Sequence, residues 1–132
     1  MTTTVRSYKD LLVWQRALAF AVNVYRVTRL FPREEIYGLT SQIRRAAVSL
    51  PSNIAEGHAR GTDPAFANHL DIALGSAAEL ETQLTIAREV GYLSAEEHER
   101  LCAELTEITR MIYGLLNKVR ANKKQRAESR ER

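Results

Sequence analysis

Apolar residues recur along four stretches of the chain at spacings of three and four, the period of a helix with one face turned inward. In the first, Lys9 to Leu30, that face is Val13, Ala17, Phe20, Val24, Val27 and Phe31. A second apolar line, Leu11, Trp14, Leu18 and Tyr25, runs beside it, and Arg16, Asn23 and Arg26 keep only a narrow polar stripe. A helix apolar around most of its circumference is buried on more than one side. A lone four-helix bundle buries one side, so the pattern predicts self-association. Ser7 and Asp10 form the capping pair at its start.

Phe31-Pro32 separates this segment from the next, because proline disfavours a helical residue before it and suits the first turn after it. The second helix is expected from Arg33 to His58, with Glu34 and Glu35 at its positive end and Ile36, Leu39, Ile43, Ala46, Leu50 and Ile54 inward. Pro51 removes a backbone donor and predicts a kink, with Ser49, Ser52 and Asn53 placed to satisfy the freed carbonyl. The third helix starts at Thr62 or Asp63 as cap, with Pro64 in its first turn. Phe66, Leu70, Ala73, Ala77, Leu80, Leu84 and Ala87 make its seam. Gly75, in Gly75-Ser76-Ala77-Ala78, costs about 1 kcal/mol relative to alanine, which predicts close approach of another helix. Gly91 stops the helix. Ser94 to Glu97 is a capping box, followed by Leu101, Leu105, Ile108, Ile112, Leu115 and Val119. Short connections force neighbours antiparallel. The expected fold is all-α: an up-down-up-down four-helix bundle over residues 1–120, with a basic flexible tail at 121–132.

Composition agrees with a single domain: 132 residues, 45% hydrophobic and 27% charged. Net charge is +3 but divided along the chain. Residues 1–62 hold nine Lys/Arg against four Asp/Glu, residues 63–120 five against ten, and residues 121–132 five against two. A basic front and an acidic back complement each other within one bundle or between subunits. No apolar leader opens the chain, no stretch reaches the roughly 20 apolar residues of a membrane span, and the single Cys102 forms no internal disulfide. A cytoplasmic protein is expected.

Catalytic chemistry finds no residues to carry it. Di-metal sites in bundles need Glu-x-x-His pairs, and the residues three before His58, His69 and His98 are Ala55, Phe66 and Ala95. One cysteine and three dispersed histidines do not make a zinc site, and Cys102 lies beside the seam of the fourth helix, where packing is its role. No catalytic residue, metal or cofactor is expected, and the chain reads as a non-enzyme. Two features call for more. Gln42, Arg45, Ser49, Asn53 and Glu56 recur every three or four residues around Pro51, forming a polar stripe. It serves either as a network supporting the kink or as a lining that faces a channel or partner. Arg44 points elsewhere on the helix. The basic tail, with Lys123, Lys124 and Arg126, is either a solubilising end or, together with Arg44 and Arg60, a set of phosphate contacts.

The motifs now assembled carry a resemblance. Leu12-Val13-Trp14-Gln15, Phe31-Pro32, Tyr37 to Ala47, and Ser49-Leu50-Pro51-Ser52-Asn53-Ile54-Ala55-Glu56-Gly57 are followed by Gly75-Ser76, Glu79 to Leu84 and Gly91-Tyr92-Leu93. From Tyr8 to Leu93 the chain resembles the bacterial four-helix-bundle family of proteins encoded in intervening sequences of 23S ribosomal RNA genes. The resemblance implies an antiparallel bundle assembled as a ring-like homopentamer. It also brings the accessory variability proteins of diversity-generating retroelements, which are strongly basic and bind nucleic acid and a reverse transcriptase. This chain differs from them in its neutral body. Two functions are therefore carried forward: an oligomeric interaction module for a protein partner, and a nucleic-acid-binding accessory protein that contacts phosphates without reading sequence.

Overall fold

Four helices follow one another: α1 Leu12–Thr28, α2 Leu39–Ala59, α3 Asp63–Glu89 and α4 Ala95–Glu131, with 3-10 turns at Tyr8–Asp10 and Arg33–Glu35. This computed structural model describes residues 5–131, without the side chains of residues 123–126 and 131. Consecutive helices pack side by side as an up-down bundle. The α2–α3 pair is the most extensive and α1–α4 the sparsest. Phe20, Ile43, Leu50, Ile54, Leu70, Leu80, Leu84, Ile108 and Ile112 fill the centre and are fully buried. Each such side chain contributes about 1.5–3 kcal/mol by leaving water. No described helix is long and apolar enough to cross a membrane.

The helix starts follow their local chemistry. Thr62 Oγ1 accepts from the Ala65 N–H at 3.3 Å to open α3, and Ser94 Oγ accepts from the Glu97 N–H at 3.1 Å to open α4. Ser7 and Asp10 do form a capping box, but on the 3-10 turn. Leu11 is extended, with φ −75° and ψ 122°, so α1 begins at Leu12 rather than Lys9. Gly61 and Gly91, at φ 79° and 85°, supply the left-handed turns that end α2 and α3.

Several expected positions shift. The second helix does not start at Arg33. Gly38 interrupts it, leaving room for Glu35 Oε1 only 2.7 Å from where a Cβ would sit. Glu35 Oε1 in turn lies 3.5 Å from the Leu39 N–H at the head of α2. Ile36 therefore stays out of the core, 47% exposed. On α1 the inward position after Val24 is Thr28, not Val27. Thr28 is buried because its hydroxyl donates to the Val24 carbonyl at 2.8 Å. Past Ile112 on α4 the buried leucine is Leu116, with Leu115 only partly covered. Phe66 on α3 is half-buried, packed against the core rather than inside it. The close helix approach falls at Gly57, where a Cβ would meet His69 Cβ at 2.6 Å, while a Cβ at Gly75 would meet no facing atom of the described residues within 4 Å. Finally, α4 does not stop at Arg120 but runs on through Ala121 to Glu131.

The outer side of α1 remains apolar. Leu18, Val22 and Tyr25 are each 41–43% exposed, and Val48 on the neighbouring helix is 42% exposed. Arg44 of α2 lies over the Tyr25 ring, its guanidinium carbon 4.7 Å from the centroid.

Candidate functional site

Antiparallel packing of α2 on α3 brings part of the α2 polar stripe against three residues of α3. Ser49 Oγ and Ser76 Oγ share a hydrogen bond of 2.7 Å. The Asn53 amide nitrogen donates to both the Ser49 carbonyl and Ser49 Oγ, each at 2.9 Å. Its oxygen, left as an acceptor, meets His69 Nδ1 at 3.0 Å. Because that oxygen can only accept, the proton sits on Nδ1 of His69. The other ring nitrogen faces Glu56 Oε1 at 3.9 Å, and Glu56 accepts from Arg60 at 2.9 Å. The chain of contacts runs Ser76, Ser49, Asn53, His69, Glu56, Arg60, from the half-buried seam out to solvent. Gly57 makes it possible, since any side chain there would displace His69. The Arg60 hydrogen bond, then the His69 ring, hold the Glu56 carboxyl below its ordinary range.

The stripe is thus split. Ser49, Asn53 and Glu56 join the α3 contacts, whereas the side chains of Gln42 and Arg45 are exposed with no hydrogen bond or ion pair among the described residues. Pro51 is buried within a continuous α2. Asn53 bonds the carbonyl of Ser49 rather than that of Ala47, which Pro51 leaves without its donor. The basic residues are not gathered. Arg44 turns toward α1, where Nε donates to Thr28 Oγ1 at 2.9 Å. Arg60 is paired at the opposite end of α2. Lys123, Lys124 and Arg126 fall on the stretch of α4 whose side chains lie outside the described residues.

His69 is the member that sequence reasoning missed. A histidine is visible only as a metal or catalytic candidate, and its role here depends on which helix it faces. The usable signal was Gly57, a glycine inside a helix. Elsewhere, Cys102 Sγ lies 3.4 Å from His98 Nε2. Burial, with Glu81 nearby, pushes its thiol up, away from the reactive thiolate. Among the described residues, no three His, Cys, Asp or Glu stand together to hold a metal.

A family model described as "23S rRNA-intervening sequence protein" matches residues 9–114. Among solved structures, the chain is similar to a protein of unknown function from the S23 ribosomal protein family of Bacteroides thetaiotaomicron. The identity is 28%, with a TM-score of 0.76, over 83% of this chain and 98% of that one. No curated protein matches.

Proposed function

Since the chain belongs to the 23S rRNA-intervening sequence protein family, we propose that it acts as a non-enzymatic interaction module, a ring of identical bundles that offers its surfaces to a protein partner. The observation that carries this reading is the apolar outer line of α1, Leu18, Val22 and Tyr25, with Val48 on the adjoining α2 likewise bare, each more than two-fifths exposed. Side chains of this kind in a contiguous line are what a subunit interface covers. The pentamer implied by the family resemblance is the assembly proposed. Nucleic acid has less support as the ligand of the whole surface, because Arg44 and Arg60 stand apart and Arg60 already serves Glu56.

Light scattering on the purified protein tests the assembly. A mass of about 75 kDa is expected, five copies of the 14.9 kDa chain. Leu18→Glu combined with Val22→Glu is expected to give folded chains of lower mass. A monomer in the wild-type protein at micromolar concentration, or a double variant that assembles unchanged, overturns the reading.

A further inference from the structure

We propose that the cleft between the end of α1 and the start of α2 binds a phosphate group. The cleft has a volume of about 410 Å³, and Arg29, Arg33, Arg44, Thr28 and Thr40 line it beside Phe31. Three of its lining side chains are cations and none is acidic.

Arg44 is already set for an anion. Its Nε donates to Thr28 Oγ1 at 2.9 Å, and the guanidinium plane lies over Tyr25 at 4.7 Å. Those contacts fix the fork while leaving its terminal nitrogens without a carboxylate among the described residues. A half-buried guanidinium is ordinarily matched by an acid. Here the match is missing. A pre-positioned fork suits the oxygens of phosphate, because little side-chain freedom remains to be lost on binding.

The second observation is Thr40. Thr28, Thr82, Thr85, Thr106 and Thr109 all satisfy their hydroxyls by donating to the carbonyl four residues earlier. Thr40, the second residue of α2, has Ile36 at that position, in the turn ahead of the helix. The residue is 2% exposed and its hydroxyl has no partner among the described residues. The hydroxyl itself is shut from solvent; a threonine in a helix has two accessible rotamers, and turning to the other is the step that offers it to a ligand in the cleft. Glu35 does not line the cleft: its carboxylate sits at the head of α2, where it approaches the Leu39 N–H, and it accepts from Tyr92, whose phenol it holds above its usual range.

The phosphate is either free, as the inorganic ion or a monoester, or a unit of a nucleic-acid backbone. Both present the same oxygens to Arg33, Arg44 and Thr40.

Calorimetry and thermal unfolding of the full-length protein with sodium phosphate, against sodium chloride at matched ionic strength, test the site. Phosphate is expected to bind and to raise the unfolding temperature beyond chloride. Arg44→Gln is expected to weaken the phosphate dissociation constant about tenfold or more, the loss of a charge-assisted hydrogen bond. Arg44 also braces the fold, so two further variants keep the test decisive. Arg33→Gln removes an exposed cation and leaves the bundle unchanged. Thr40→Val raises stability without phosphate, because an unpaired hydroxyl is removed, yet lowers the gain that phosphate gives. An unstructured oligoribonucleotide that competes with phosphate supports the backbone source, and one that does not supports the free ion or monoester. Phosphate behaving as chloride does, or a phosphate response unaltered in both Arg33→Gln and Thr40→Val, overturns the proposal.

Discussion

Asn53 uses both ends of its amide, and each end holds a different helix. The nitrogen binds Ser49 of its own helix, and the oxygen binds His69 of α3. Truncation to alanine therefore strands His69 Nδ1 in a half-buried seam and takes one of two partners from Ser49 Oγ, which keeps Ser76. A stranded group of this kind costs about 1–3 kcal/mol. Asn53→Ala is expected to lower stability by that amount in urea unfolding at fixed protein concentration. No change would mean that water replaces the amide. Arg45, exposed and unpaired, is the contrasting residue on the same helix, and nothing in the fold requires its charge.

The fourth helix illustrates how an element departs from its simplest pattern. A heptad continued from Leu105, Ile108 and Ile112 lands on Leu115, but a straight helix of 3.6 residues per turn drifts from a 3.5 repeat. The step after Ile112 is four residues, and Leu116 is the one buried. Leu116→Ala is expected to cost about 2–5 kcal/mol and Leu115→Ala clearly less, as measured by chemical denaturation. The reverse order would restore the heptad. What was legible in the sequence was local. Thr62 and Ser94 announced their helices because a cap and its target lie within three residues. The all-α bundle followed from periodicity that any neighbour would satisfy. What was hidden depends on facing helices. Gly57 and Gly75 look alike in sequence, yet only Gly57 lies against another side chain, and the register that sets Asn53 opposite His69 is a property of two helices together. The interruption at Gly38 was hidden because an unbroken helical pattern extends across it.

Neighbours in sequence are neighbours in space throughout the molecule, and the seam that joins its two ends, α1 against α4, is the sparsest. A cleft of about 430 Å³ opens along it, with Arg16, Asn23, Glu104 and Glu107 on its walls. That unevenness sets a hierarchy of opening. Amides in the middle of α2 and α3 are expected to exchange with deuterium only when the whole chain unfolds, whereas those of α1 exchange through a partial opening that frees the helix from α4. The outer line of α1 gives the hierarchy a further property. Where other copies cover Leu18, Val22 and Tyr25, mass action raises the cost of opening α1 as protein concentration rises. Hydrogen exchange followed across a dilution series is expected to show α1 losing protection first on dilution while α2 and α3 keep theirs. Uniform loss along the chain would place the weak seam elsewhere. The sparse α1–α4 contact thus makes the first helix a clasp, closed by its own bundle only in part and, in the proposed assembly, secured by the neighbouring chain.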